Sequence, residues 1–216
     1  MLTEILKPTA ENIFRAGKLI QRGEIVAFPT ETVYGLGANA FNVDACKKIY
    51  AAKERPADKP LTLHVADFEM IEQIAEISLA AEKLIENFLP GPLTIILPKK
   101  IIVPDFVTCN SKSVGVRFPN NPVAQNFIKI AGCPIAAPSA NISGKNPPTT
   151  AQEVFENLNG KVEIILDGGK CEVGISSTIV DISTGDLKIL RQGKISAESL
   201  ESVYKFLRYN NSAFLL

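Results

Sequence analysis

The chain has 216 residues with no net charge at pH 7, and 46% of them are hydrophobic. This composition is typical of a globular protein with one generous domain, and it argues against nucleic-acid binding through the overall field of the molecule. The sequence indicates neither a signal peptide nor a membrane span, and its four scattered cysteines and single histidine exclude the usual zinc spacings and favour a cytoplasmic location.

The first half of the chain alternates helices and strands. Apolar residues at helical spacing predict a helix from Thr9 to Arg22, and the apolar run 24–28 predicts a buried strand that stops at Pro29. A loop rich in hydroxyls and glycines follows at 30–37. Beyond it we expect a helix at 43–52, a basic loop at 53–59, a strand at 61–65, helices at 67–77 and 78–88, a strand at 93–97 and a mobile loop at 99–111.

The second half continues the alternation and ends in consecutive strands. We expect strands at 113–119, 134–138 and 162–166, helices at 121–131 and 151–158, a hairpin of strands 175–182 and 187–190, and a last helix at 197–209. This order predicts a single α/β domain, 1–209, with an open, twisted, mixed sheet flanked by helices, followed by a C-terminal tail at 210–216.

Polar side chains follow the predicted strands, where ligands of such sheets commonly bind. They include cations that fit phosphate or carboxylate groups, because arginine presents a rigid fork of donors and lysine a point charge. We expect no dedicated magnesium cage, since no aspartate cluster is present, and any Mg²⁺ should be carried by nucleotide phosphates. The polar positions are 30–37, Lys53, Arg55, Lys59, Arg117, 139–141, 176–178 and Arg191.

The sequence offers no clear nucleophile. Ser139 lacks the flanking glycines of a nucleophile elbow, and His64 lies within a predicted strand, where it is either a core histidine or a ligand-binding residue. Asp167 and Asp181 fit a turn and a strand end better than acid catalysis. The composition of the loops therefore favours phosphoryl or nucleotidyl transfer that depends on positioning and electrostatic stabilisation.

Several motifs together resemble one family. The segments FPTETVYGLGANA, KERPADKPLTLHV, PGPLTIIL, VGVRFP, APSANISGKNPPT, GISSTIVD and ILRQG look like those of the YrdC-like family of L-threonylcarbamoyladenylate synthases, in the same order over residues 10–205. The resemblance implies an open α/β sheet around a basic concave surface. It also implies formation of threonylcarbamoyl-AMP and pyrophosphate from L-threonine, bicarbonate and ATP, with Mg²⁺, for a separate tRNA-modifying transferase complex.

The resemblance assigns roles residue by residue and implies no metal ligand among the side chains. The catalytic tetrad would be Lys53, Arg55, Ser139 and Asn141. Threonine would contact Thr32, His64, Arg117, Ala137 and Ser177. ATP would contact Arg55, Lys59, Ser113, Ser139, Asn141 and Arg191.

The sequence departs from the family pattern in two places, and two alternative functions remain open. Longer family members carry a C-terminal domain that we expect to be absent here, and the turn GKNPPT lacks a serine before its Pro-Thr pair. One alternative is a carbamoyl-adenylate-forming enzyme of the hydrogenase-maturation type, which would use carbamoyl phosphate. The other is an RNA-binding module that uses the basic concave surface; weak RNA binding could also accompany catalysis. The motif loops offer only Tyr34 and Phe118 for base stacking.

Overall fold

The computed structural model describes the backbone of residues 2–212 and the side chains of residues 2–204. Within this part of the chain, ten strands form one mixed sheet in the order β1-β8-β2-β3-β7-β4-β6-β5-β9-β10. The mixed α/β architecture predicted from the sequence is confirmed. The strands are β1 (Glu4–Leu6), β2 (Val26–Phe28), β3 (Gly35–Asn39), β4 (Thr62–His64), β5 (Leu93–Pro98), β6 (Ser113–Arg117), β7 (Ile135–Ala136), β8 (Ile164–Leu166), β9 (Thr178–Asp181) and β10 (Lys188–Arg191).

Helices flank the sheet. The helices are α1 (Ala10–Gln21), α2 (Val43–Lys53), α3 (Phe68–Ile74), α4 (Leu79–Phe88), α5 (Asp105–Thr108), α6 (Pro122–Ala131), α7 (Ala151–Leu158) and α8 (Ala197–Ser212). Helix α8 covers the first three residues of the predicted tail 210–216, and the last four lie outside the described residues. No helix in the described part of the chain is both long and apolar enough to cross a lipid bilayer.

Side-chain caps determine where several helices begin. Asp67, Ser78 and Thr150 each accept a hydrogen bond from a backbone N–H in the first turn of α3, α4 and α7. In α7, the carboxylate of Glu153 turns back and accepts from the N–H of Thr149 at 2.6 Å. It thus reaches one residue beyond the cap, a variant of the predicted capping box.

Strand β3 was not predicted, because glycine and alanine dominate its sequence and give no alternating pattern. It pairs antiparallel with β2, with Phe28 opposite Gly35. A Cβ atom at Gly37 would lie 2.6 Å from Ile135 and 3.0 Å from the Phe28 ring. Glycine is therefore required there by the close approach of neighbouring side chains. From sequence alone, the glycines of this segment indicate a loop.

The segment 99–111 also differs from the prediction of a mobile loop. It contains the short helix α5, and the side chains of Val103 and Val107 are buried in the core. The ammonium of Lys99 donates to the carbonyl of Val103 at 2.8 Å and pairs with Asp105 at 2.6 Å. The segment is thus a packed part of the domain. The edge strand β1 also escaped prediction, since three residues are too few to show a pattern.

Candidate active site

A cavity of about 540 Å³ lies over one face of the central strands. Its floor is formed by alternate residues, because successive side chains of a strand point to opposite faces. Thr62, Gly115, Ile96 and Asp181 are consecutive register partners across β4, β6, β5 and β9. The residues between them, such as Leu63, point the other way into the core. The sequence placed the ligand beyond the strand ends; the structure extends the cavity along the strand faces.

Cations dominate the charged residues of the cavity wall. Among the described residues that line it, Arg55, Lys59, Arg117 and Arg191 are cationic and Asp181 is the one carboxylate. This lining fits an anionic ligand. In the same part of the chain, no group of three His, Cys, Asp or Glu side chains is placed to hold a metal ion.

Arg117 is the most buried of these cationic residues. Its Nη2 donates to Thr32 Oγ1 at 2.6 Å and to Thr30 Oγ1 at 3.3 Å. The same nitrogen lies 3.1 Å from Glu31 Oε1. Burial lowers the pKa of Arg117, and the neighbouring charge of Glu31 opposes that effect. We call these four residues the Arg117 cluster.

The Arg117 cluster leaves a hydrogen-bond donor available to a ligand in the cavity. Thr30 donates its hydroxyl proton to the carbonyl of Val33 at 2.7 Å, so the proton of Thr32 goes to Thr30 Oγ1, which lies 3.0 Å away. No hydrogen bond within the described residues uses Arg117 Nη1. A bound carboxylate in the cavity can therefore accept from Nη1.

His64 lies beside Arg117 in the sheet register and also faces the cavity. Burial, assisted by the positive charge of Arg117, lowers the pKa of His64 to about 3. Its Nδ1 is buried without a hydrogen-bond partner in the described protein. The imidazole is thus neutral at physiological pH, and it packs edge-on against Phe28 with ring centroids 5.8 Å apart.

Lys53 stabilises the turn 139–141 through hydrogen bonds to its backbone. The ammonium of Lys53, which is only 1% exposed, donates to the backbone carbonyls of Ser139 and Asn141. Ser139 Oγ donates to Asn141 Oδ1, and Asn141 Nδ2 donates to the carbonyl of Lys145 at 2.7 Å. Burial is the main reason that the pKa of Lys53 falls to about 7, and the charge of Arg55 adds to it. Lys53 therefore fixes the turn that brings Ser139 to the cavity.

Arg55 and Lys59 lie on the exposed loop that follows α2. Arg55 donates from Nε to the carbonyl of Lys59 at 3.3 Å and from Nη2 to that of Pro60 at 2.9 Å. Its guanidinium also lies 5.9 Å from the ring centroid of Tyr50. These contacts shape the loop, while the charges of Arg55 and Lys59 face the cavity mouth.

The start of β9 forms a further part of the wall. Ser177 Oγ lies 2.8 Å from Thr94 Oγ1, and Arg191 donates from Nη2 to the Ser177 carbonyl at 2.9 Å. Burial lowers the pKa of Arg191, and the charge of Arg117 adds to this effect, so the two arginines share one electrostatic environment. Arg191 thus positions Ser177 and places a second cation near Arg117.

The structure brings nine of the twelve residues chosen from the sequence to the cavity wall: Arg55, Lys59, His64, Ser113, Arg117, Ala137, Ser139, Ser177 and Arg191. The other three lie immediately behind the wall. Thr32 contacts Arg117, and Lys53 and Asn141 support Ser139.

Sequence reasoning missed Glu31 and Thr94. Thr94 is buried and reaches the wall through its strand position, so only the register of β5 reveals it. Glu31 is an acidic residue inside a motif that is otherwise uncharged, and this was a usable signal. Its partner Arg117, however, lies 86 positions away in the sequence.

Comparison with known proteins identifies the family. The model of the Sua5/YciO/YrdC family, described as "Telomere recombination", matches residues 18–193. The chain belongs to the Sua5/YciO/YrdC family. This confirms the family that the sequence motifs indicated.

Named relatives in this family are similar over most of the chain. Threonylcarbamoyl-AMP synthase of Pyrococcus abyssi is 46% identical over 200 residues, which are 92% of this chain and 59% of the relative. The protein of the same name from Bacillus subtilis is 44% identical over 207 residues, 94% of this chain and 59% of the relative. The chain therefore spans about three fifths of the length of these two relatives.

A solved structure of the Sua5/YciO/YrdC family shows the same fold. The structure of Pyrococcus abyssi Sua5 complexed with L-threonine superimposes with a TM-score of 0.89 at 46% identity, over 94% of this chain and 60% of that one. That protein binds L-threonine. This chain therefore has the same fold as that protein.

Proposed function

We propose that the chain is a nucleotidyltransferase that forms threonylcarbamoyl-AMP and pyrophosphate from L-threonine, bicarbonate and ATP. The observation that carries the proposal is one cavity with two kinds of cation. Arg117 is buried among hydroxyls, and Arg55 and Lys59 are placed at the open mouth. The cavity volume suits ligands of this size. The similarity to proteins named threonylcarbamoyl-AMP synthase supports the same assignment.

The Arg117 cluster is the proposed site for the threonine carboxylate. Arg117 Nη1 supplies the donor, Thr32 belongs to the site through its contact with Arg117 Nη2, and the neutral ring of His64 lies beside them. The backbone carbonyl of Ala137 would accept a hydrogen bond from the amino group of threonine. The N–H of Ala137 is not available, since it already donates to the carbonyl of Thr62 at 2.8 Å. Ser177 completes this end of the cavity.

The opposite end is the proposed ATP site. Arg55 and Lys59 would contact the phosphates, Ser139 and Asn141 would belong to the turn beside them, and Ser113 would complete the contacts at this end. Arg191, which lies near Arg117, would contact ATP from the threonine end. ATP is a substrate here. Mg²⁺ would be carried mainly by its phosphates, because the lining offers cations and hydroxyls in place of a carboxylate cage.

Formation of the product requires one bond exchange at the α-phosphorus. The carbamate forms when the threonine amine bonds to the carbon of bicarbonate and water leaves. A carboxylate oxygen of this carbamate then bonds to the phosphorus while the bond to pyrophosphate breaks. The chain supplies positioning of the two reactants and positive charge near the departing pyrophosphate. This role needs no nucleophile from the protein.

We further propose that the product passes to a tRNA-modifying transferase complex in the cytoplasm. Four free thiols among the described residues agree with a reducing compartment. We include weak RNA binding in this proposal, since Lys112 and Lys145 add exposed positive charge. Affinity for RNA should then fall steeply with salt.

Pyrophosphate release tests the proposal. The protein is incubated with ATP and Mg²⁺, and L-threonine and bicarbonate are omitted in turn. Release that requires both substrates is the expected result. Release that requires carbamoyl phosphate instead would favour the hydrogenase-maturation chemistry, and release with neither would indicate a plain ATPase. Mass spectrometry of the product separates these outcomes.

A further inference from the structure

Glu31 is a buried carboxylate with an unusual environment. It is 5% exposed, and neither of its carboxylate oxygens makes a hydrogen bond in the described protein. Its one close ionic partner there is Arg117 Nη2, which lies 3.1 Å from Oε1. A buried carboxylate without hydrogen bonds is costly unless a cation compensates it. Glu31 therefore depends on Arg117 electrostatically.

The backbone fixes Glu31 independently of this ion pair. Thr30 Oγ1 accepts from the N–H groups of Thr32 and Val33 at 3.2 and 3.3 Å, which closes the turn around Glu31. The carbonyl of Glu31 accepts from the N–H of Val173 at 2.8 Å, and that of Thr32 accepts from Gly174 at 3.1 Å. The carboxylate is thus attached to a turn that is anchored on both sides.

Glu31 does not itself reach the proposed ligand. It is absent from the cavity wall, whereas Arg117 lines it. The turn places three oxygen-bearing side chains against the same nitrogen of Arg117: Thr30, Glu31 and Thr32. Nη1 has no hydrogen-bond acceptor among the described residues. Glu31 consequently contacts the Nη2 side of the guanidinium and leaves Nη1 available to the cavity.

We propose that Glu31 is a positioning residue that holds the Arg117 guanidinium in the orientation that receives the amino-acid carboxylate. The inference deepens the proposed function and rests on its threonine site. Glu31 supplies negative charge 3.1 Å from Nη2 and so stabilises the buried cation, while Nη2 donates to the two threonine hydroxyls. Loss of its charge allows the guanidinium to leave this arrangement, and amino-acid recognition weakens while nucleotide recognition remains.

The test compares steady-state kinetics of Glu31→Gln with those of the wild-type protein. We expect the KM for L-threonine to rise about tenfold or more, as displacement of a contacting group predicts. The KM for ATP should stay within about twofold, since the nucleotide contacts lie elsewhere. The matched control is Glu24→Gln, which removes the carboxylate of another ion pair, 2.8 Å from Lys48, that lies outside the cavity.

A double-mutant cycle separates positioning from a general structural role. In an Arg117→Ala background, Glu31→Gln should lower kcat/KM for threonine by less than about twofold, because the group through which it acts is gone. A full additional loss in that background would overturn the inference. So would an unchanged threonine KM in Glu31→Gln alone, or an equal rise in the KM values of threonine and ATP.

A second variant decides the matter if Glu31→Gln does not fold. Glu31→Asp keeps the charge but withdraws it by one methylene, and the inference predicts a raised threonine KM with an unchanged ATP KM. An unchanged threonine KM would overturn it. The proposed function fails separately, and visibly, if the wild-type protein releases pyrophosphate without any dependence on threonine.

Discussion

The two ends of the cavity hold their cations in opposite ways. Arg117 is 5% exposed and is surrounded by two hydroxyls and a carboxylate that belong to one turn. Lys59 is exposed, and Arg55 donates to two carbonyls of its own loop. A cation fixed in advance suits one small carboxylate of defined geometry, whereas exposed cations suit a flexible polyphosphate. The difference predicts separate behaviour of the two ends under mutation, acid and salt.

The largest expected difference concerns stability. Arg117→Ala should lower the free energy of unfolding by about 3–5 kcal/mol, because it leaves Glu31 buried without its counter-charge. Lys59→Ala should change the free energy of unfolding by no more than about 0.5 kcal/mol, as expected for an exposed side chain. Urea denaturation of both variants measures this contrast. Similar small losses in the two variants would show that the Arg117 cluster is not electrostatically coupled.

Lys53 extends the comparison, since it is buried but lies next to the exposed loop. Lys53→Met should lower the free energy of unfolding by about 2–3 kcal/mol, because the carbonyls of Ser139 and Asn141 lose their donor. The KM for ATP should rise as the turn relaxes. Lys47→Met is the matched control on the same helix, as Lys47 is mostly exposed and pairs with Asp44. Equal stabilities of the two variants would contradict the role given to Lys53.

Acid should affect the buried end through His64. Its pKa is about 3 in the folded protein, below the usual value of 6.5, so the unfolded chain binds a proton at a higher pH than the folded one. The contribution of His64 to stability therefore declines as the pH falls below 6.5. Between pH 6.5 and 5.5 this loss is about 1 kcal/mol. His64→Gln should show a correspondingly flatter stability profile in that range; a profile parallel to the wild type would argue against a buried neutral imidazole.

Salt should affect mainly the exposed end. The Debye length falls from about 10 Å at 0.1 M to about 3 Å at 1 M, and buried pairs are screened less than exposed charges. The KM for ATP should rise several-fold over this range, while the KM for threonine should change by less than about twofold. Lys59→Ala should reduce the salt dependence for ATP. A stronger salt effect on threonine than on ATP would reverse the comparison.

Sequence alone identified the polar loops, but it did not show which of their side chains are buried or what those side chains contact. The cations and hydroxyls were recognisable because they follow apolar runs at predicted strand ends. Burial of Lys53 was not, since its partners are backbone carbonyls of a distant turn. The pairing of Glu31 with Arg117 was also hidden, because it joins a loop to a strand far along the chain. Long-range contacts of this kind carry no local pattern.

The fold shows the same division between local and distant information. Alternating elements and the 183–186 turn correctly predicted a mixed sheet that ends in the β9–β10 hairpin. Strand β3 was missed because the close approach of Phe28 and Ile135 selects glycines, which locally indicate a loop. Segment 99–111 was expected to be a mobile loop; Val103 and Val107 nevertheless pack into the core.

The most direct test of the account is calorimetric binding of L-threonine and ATP to three proteins: the wild type, Arg117→Ala and the double variant Arg55→Ala/Lys59→Ala. We predict that Arg117→Ala weakens threonine binding tenfold or more, roughly the effect of losing one partner of a buried charged contact, and retains ATP binding. The double variant should show the reverse. Equal weakening of both ligands in both variants, or exchanged losses, would contradict the assignment of the buried end to the amino acid and the exposed end to the nucleotide.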